Sequence, residues 1–351
     1  MEPVKLGLIG CGVVGSRNLA DAQRCSGVEL VAVADLREER RAYAKAQGVD
    51  RIYEDGRGLI DQDREVDAVI IAYPAAARTA IALRAFARNK HVLVEKPVAM
   101  SSREVETMIR FRGDLTAACF SSRHRMCASA DAATDLVASG ALGALRSLHV
   151  RVHLEAGPAP GSSPPPWRES FSMNAGGILT NWSCYDLDYI LGIAGWRFYP
   201  RTVLGQYWRC IPTYADRVAP ESDADSFFTA LAIGRDGSAL TIERGEFMPA
   251  HAQSAWQIVG TNGSLTLGMV SKEDVKIVHD TPDPAGGVTQ RVVYEGDEPE
   301  PNGNRRVIED FAESIRGKHA PATGLEQALI VARISEAVYE SAHSGKAVEI
   351  D

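Results

Sequence analysis

Apolar runs and helix-like segments alternate through the first third of the chain. Val4–Ile9 is a short apolar run, residues 13–24 have helical composition, and Val28–Ala34 is a second apolar run. A helical stretch follows to Gln47 and is broken by Gly48. Residues 67–72 then form a continuous apolar strand bounded by Tyr73 and Pro74, 75–88 are helical in composition, and 91–95 form the next buried strand. Runs that are apolar on both faces and separated by helices predict an α/β, doubly wound parallel sheet.

After Arg123 the periodicity changes. Val150, Val152 and Leu154 alternate with His149, Arg151, His153 and Glu155. Further strand-like stretches occupy 227–233, 239–244, 255–259, 264–268, 275–279 and 290–294, with turns at 234–237 and 261–263. This predicts a mostly antiparallel sheet accompanied by helices near 181–191 and 325–343. The proline-rich stretch 157–167 must be irregular, because proline supplies no ladder donor. The expected division is 1–122 for the first domain and 123–351 for an α+β second domain, as the length of 351 residues also suggests.

Composition narrows the partners. A net charge of −8 without a block of basic residues argues against nucleic acid and anionic membrane. Six cysteines without a C-x-x-C pair read as reduced thiols of a cytoplasmic protein, with neither a disulfide framework nor a metal site. No uninterrupted apolar segment reaches the length of a membrane helix.

The first turn carries the clearest chemistry. Gly10-Cys11-Gly12-Val13-Val14-Gly15 links the first strand to a helix, and Asp35 ends the second strand twenty residues after Gly15. Strand, glycine turn, helix, strand and terminal acid together form a dinucleotide fingerprint. Pyrophosphate is expected on the helix N-terminus, and ribose hydroxyls on Asp35. The carboxylate favours NAD over NADP, although Arg37, Arg40 and Arg41 follow closely. Leu36, and Ala72, Tyr73, Pro74, Glu95 and Lys96 at the ends of later strands, complete the expected cofactor positions.

Lys96 lies where a cation can polarise a substrate hydroxyl. Farther on, Asn181, Tyr185 and Asp188 fall on one stripe if residues 178–189 form a single helix. An amide, a phenol and a carboxylate can bind a polyhydroxylated molecule and pass a proton; a tyrosine packed in the core is the plainer alternative.

Together these residues resemble the glucose–fructose oxidoreductase / inositol dehydrogenase / MocA (Gfo/Idh/MocA) family of NAD(P)-dependent oxidoreductases. The likeness runs through the fingerprint, Ala72-Tyr73-Pro74, residues 91–97 ending in Glu95-Lys96-Pro97, Gly176-Gly177 with its helix, 260–263 and 323–326. It implies a Rossmann domain, a second domain built on a large open sheet, an active site between them, and pairing through that sheet into dimers or tetramers. The implied reaction moves a hydride between nicotinamide and a CH–OH of a sugar, glycoside or cyclitol.

The family helix usually reads Asp-x-Gly-x-His-x-x-Asp, and here those places hold Asn181, Ser183, Tyr185 and Asp188. Tyr185 therefore stands where the family places its proton acceptor, with Lys96 polarising the same oxygen and Asn181 as a neutral orienting contact. An unperturbed phenol titrates near about pH 10 and is a poor base at neutrality. The resemblance also puts Arg123, His124 and Arg125 at the interdomain crossover near the active site, where they reach substrate or pair the domains, and Trp167 and Arg168 along the substrate cavity. Arg78 replaces a common histidine that helps bound the cofactor pocket; it either serves the cofactor or is a surface charge, and the second is the preferred reading. His153 and Glu155 fit either the site or a polar subunit interface.

Two other readings share the same residues. In one, bound NAD oxidises a glycoside transiently for elimination and recovers its hydride, or 3-oxidation prepares the glycoside for a partner enzyme. In the other, the fold persists as a non-catalytic nucleotide- or sugar-binding regulator.

Overall fold

The structure is a computed structural model that describes residues 2–162, 164–269, 273–298 and 303–350. Ser163 of the proline-rich stretch lies outside the described residues. The chain forms two compact units, Met1–Arg123 with Gly303–Leu329, and His124–Asn302 with Ile330–Asp351.

The first unit contains β1 (Val4–Ile9), β2 (Val28–Ala34), β3 (Arg51–Tyr53), β4 (Ala68–Ile71), β5 (His91–Val94) and β6 (Ala117–Cys119). They form a parallel sheet in the order β3-β2-β1-β4-β5-β6, the doubly wound arrangement expected from the apolar runs. All four residues of β4 are buried, as a central parallel strand requires. The order reverses between β1 and β4, which makes the carboxyl edge there the ligand side of such a sheet. The helix Asn304–Ile315 returns late in the sequence to pack on the helix Val13–Gln23.

The second unit holds β7 (Leu145–Glu155), β8 (Pro200–Trp208), β9 (Phe227–Gly234), β10 (Ala239–Met248), β11 (Gln253–Gly260), β12 (Ser264–Leu267), β13 (Val275–Pro282), β14 (Val288–Gly296) and β15 (Val348–Glu349). Their order is β14-β13-β12-β11-β7-β10-β9-β8-β15. Among the described residues every pairing in this sheet is antiparallel except β7 with β10. The strands β8 and β15 add to those anticipated from alternation.

One sheet face carries the core. Leu148, Val150, Val152, Phe228, Leu240, Ile242, Trp256 and Ile258 are buried in it, together with the helix Ser183–Ile193. All residues of that helix are buried, so no amphipathic stripe marks it and its polar side chains lie inside protein. The stripe expected across 178–189 is interrupted. Helix Ile178–Asn181 ends at Trp182, which has φ −121° and ψ −39°, and the second helix starts at Ser183.

A candidate dinucleotide and CH–OH oxidoreductase site

In the first unit the glycine turn is shaped by two close approaches. Gly10 has φ +94°, and a Cβ there would lie 2.9 Å from the Ala72 carbonyl oxygen. A Cβ on Gly15 would sit 1.9 Å from the Gly10 carbonyl oxygen, so only glycine lets the helix abut the turn. The helix Val13–Gln23 has no side-chain cap and no acid in its first turn. Its leading N–H groups and dipole thus suit an anion.

Asp35 is buried beside this turn. Its Oδ2 accepts from Cys11 N–H at 2.7 Å and its Oδ1 from Arg37 N–H at 2.9 Å. Arg40 Nη1 lies 3.6 Å from Oδ2. Arg41 donates from Nη1 to the carbonyls of Asp35 and Leu36 at 2.9 Å each. Burial, then the Asp35 charge, raises the Cys11 thiol to about 11, so this cysteine stays protonated within the turn. Leu36 is exposed beside Asp35, and Val13 is exposed at the helix start.

The later strand ends are tied together by a residue that the sequence alone misassigned. Arg78 is not a surface charge: it is 7% exposed. Its Nε donates to Tyr73 O at 2.7 Å, and Nη1 donates to Glu95 O at 2.9 Å and also to Pro97 O. One guanidinium thereby joins the loop after β4 to the Glu95-Lys96-Pro97 segment after β5. Glu95 is buried and accepts from Asn18 at 3.1 Å, while Lys96 is half-buried. The Tyr73 hydroxyl accepts from Gly56 N–H at 3.2 Å, next to Ala72 and ahead of Pro74, the N-cap of the helix Ala75–Ala87.

In the second unit the expected helix residues Asn181, Tyr185 and Asp188 are all buried. Tyr185 is fully buried, with its ring edge-on to His124 at 4.8 Å and to Trp182 at 5.5 Å. Asp188 accepts from Arg125 Nε at 2.7 Å, and Arg125 also lies over Trp196. Arg125 therefore anchors the helix acid. Asn181 is buried at the end of the short helix, and Arg123 is half-buried in the first unit. Trp167 is 40% exposed, and Arg168 is held by Glu246, with Nη2 2.6 Å from Oε1.

A second buried ion pair escaped the sequence reading. Asp186 receives both contacts of Arg244 Nη1, at 2.7 and 3.0 Å, and one from Trp256 Nε1 at 3.1 Å. The signal was present, because Leu240, Ile242 and Arg244 share the buried face of β10. A buried guanidinium needs an acid. His153 pairs with Glu243 and accepts from or donates to Gln253 at 2.8 Å, within a polar network on the uncovered side of the sheet.

Residues 4–119 match the model described as an oxidoreductase family with an NAD-binding Rossmann fold, and 134–350 match the C-terminal alpha/beta domain of the same family. The chain belongs to the Gfo/Idh/MocA oxidoreductase family. A D-xylose 1-dehydrogenase (NADP(+)) from Haloferax volcanii is 26% identical over 98% of this chain and 99% of its own. An inositol 2-dehydrogenase from Rubrobacter xylanophilus is 33% identical over 44% of this chain and 46% of its own. Among solved structures, a levoglucosan dehydrogenase in complex with NADH superposes with a TM-score of 0.82 at 22% identity over the whole of both chains. This last likeness shows the fold. Membership in the family accounts for both units: an NAD-binding Rossmann unit and an α/β unit of an oxidoreductase. No described helix is long and apolar enough to cross a membrane.

Proposed function

We propose that this family member is an NAD-dependent dehydrogenase of a sugar, glycoside or cyclitol CH–OH. The observation that carries the reading is the carboxyl edge of the parallel sheet. The uncapped glycine turn after β1, Asp35 after β2 and Glu95-Lys96-Pro97 after β5 all stand on it.

The residues fit a dinucleotide. The Gly10–Gly15 turn would hold pyrophosphate, and Asp35, already an acceptor for two N–H groups, would take the ribose hydroxyls. A carboxylate there repels a 2′-phosphate, and Arg40 is engaged with it, which supports NAD. When bound, nicotinamide supplies the hydride acceptor or donor. Lys96 donates a hydrogen bond to the reacting oxygen and stabilises its alkoxide character. Tyr185 exchanges the hydroxyl proton, Asp188 with Arg125 keeps its helix in place, and Asn181 offers a neutral contact. The Trp167 face supplies a surface on which a sugar ring stacks.

The protein further pairs with itself through the uncovered face of the nine-stranded sheet. Leu204, Leu231, Thr241, His149, Gln257 and Thr266 form one cross-strand row there, over a groove of about 930 Å³.

Tyr185→Phe tests the chemistry. The turnover number is expected to drop by roughly two to four orders of magnitude, with NADH binding intact. Turnover near wild type across pH contradicts the assignment.

A further inference from the structure

Glu169 and Glu95 are both buried, and neither enters a described ion pair. Glu169 Oε2 has no hydrogen-bond partner among the described residues. Glu95 is held differently, because each of its oxygens accepts from an N–H group. Oε1 accepts from Asn18 Nδ2 at 3.1 Å, and Oε2 accepts from the backbone N–H of Lys96 at 3.3 Å.

These bonds run in one direction. A carboxylate only accepts, so Asn18 must turn Nδ2 toward Glu95 and keep Oδ1 as an acceptor for another donor. Asn304 Nδ2 lies 3.5 Å from that Oδ1, at the start of the helix that returns late in the sequence. Asn18 is fully buried on the helix Val13–Gln23, and Asn304 is buried as well. The donors therefore begin on one helix, pass through a second and end on the segment after β5, all within the first unit.

The backbone around Lys96 is braced on both sides. The carbonyls of Glu95 before it and Pro97 after it both accept from Arg78 Nη1. Its own N–H is the group that the Glu95 carboxylate holds. A glutamate side chain turns about several bonds, and a single contact with the adjacent amide does not select one rotamer. The second contact, from Asn18 on another element, does. Packing alone does not account for the acid: an apolar side chain of similar volume would fill this place without the cost of burying a carboxylate among neutral donors.

We propose that Asn18, acting through the Glu95 carboxylate, is a positioning residue for Lys96: it fixes the backbone from which the lysine reaches the oxygen of the CH–OH. Asn304 orients the Asn18 amide. The helix whose N-terminus suits an anion thus also sets the lysine. The proposal rests on the reading of Lys96 as the residue that polarises the reacting oxygen. Arg78 braces the same segment but also ties the loop after β4, so Asn18 is the cleaner position to vary.

Two readouts on Asn18→Leu and Asn18→Asp test it in the protein saturated with NAD. The first is hydrogen exchange of the Lys96 amide, followed by NMR. Asn18→Leu is expected to speed it tenfold or more, while the amides of β4 exchange as in wild type. The second is turnover with D-glucose, D-xylose and myo-inositol as hydride donors. In Asn18→Leu kcat is expected to fall about 10- to 100-fold, with the KM for NAD within about twofold of wild type. Asn18→Asp sets a second carboxyl against Glu95, and a proton shared between them restores the donor. Its kcat relative to wild type is therefore expected to recover as pH falls from about 8 to about 5.5, whereas the ratio for Asn18→Leu stays flat. If Asn18→Leu does not fold, this recovery in Asn18→Asp decides. Unchanged Lys96 exchange, exchange that rises equally in β4, wild-type turnover in Asn18→Leu, or a pH-independent ratio in Asn18→Asp overturns the proposal. Failure of the reading beneath it shows separately, as no nicotinamide reduction by wild type or as equal rates in Lys96→Ala. The exchange measurement then still decides whether Asn18 fixes the Lys96 backbone.

Discussion

Arg78 and Glu169 show how far a buried charge depends on what surrounds it. Arg78 spends its donors on backbone carbonyls from two loops, and the charge is spread over the guanidinium that they solvate. Glu169 has no such compensation. In the unfolded chain its carboxyl loses its proton near the usual 4.5, whereas in the folded chain it keeps it up to about 8. Across that window the folded state binds the extra proton, so stability falls as pH rises and levels off above about 8. Urea unfolding should show a loss of up to about 1.4 kcal/mol per pH unit from this group, and Glu169→Gln should flatten it. An unchanged slope in the variant would remove Glu169 as the source. Neither residue was legible in the sequence, for different reasons. Gly10, Gly15 and Asp35 belong to a spacing that backbone geometry dictates. Arg78 is chemically a surface residue until its carbonyl partners are known, and no periodicity singles out Glu169 in an irregular segment.

At the level of elements, the break at Trp182 and the packing of Arg125 govern the candidate proton-exchange residues. Tyr185 and Asp188 lie on the helix Ser183–Ile193, whereas Asn181 ends the preceding turn. Spacing alone placed all three on one stripe, because a non-helical pair of angles at a tryptophan leaves no mark in the pattern. The Arg125–Asp188 pair requires glycine on the next turn, since a Cβ on Gly192 would lie 2.1 Å from Arg125 Nε. Gly192→Ala should therefore displace Arg125 and leave Asp188 buried without that partner. The expected cost is roughly 2–4 kcal/mol in denaturant unfolding, with a fall in turnover larger than the change in KM. A variant of wild-type stability and turnover would show that the pair does not hold the helix. Strands were more readily anticipated than helices here. Alternation survives in β7, β9 and β10, but the buried helix carries apolar residues all round and only its glycines and polar residues betray it.

Across the whole molecule, the two sheets present different surfaces to their surroundings. The parallel sheet is buried between helices, while the nine-stranded sheet is covered on the side that holds the core and leaves a polar row with two leucines on the other. Leu204 and Leu231 face each other across β8 and β9 and are 51% and 40% exposed. If this face pairs copies of the chain, Leu231→Glu should shift the mass in light scattering from oligomer to monomer, with the fold retained by circular dichroism. An unchanged oligomer would move the interface elsewhere. The doubly wound unit and the mainly antiparallel unit were both legible from periodicity. The return of Gly303–Leu329 to the first unit was not, because a late segment crossing back has no local signature.

The central claim is hydride transfer from a CH–OH that depends on Lys96. It is tested most directly by following nicotinamide reduction with wild type and Lys96→Ala. The panel would contain inositols, free hexoses, amino sugars and aryl or alkyl glycosides, with NAD and NADP compared. The expected result is reduction of NAD in preference to NADP by one substrate class, and its loss in Lys96→Ala with NAD still bound. Silence across the panel from a wild-type protein that binds NAD, or equal rates in the variant, would contradict it.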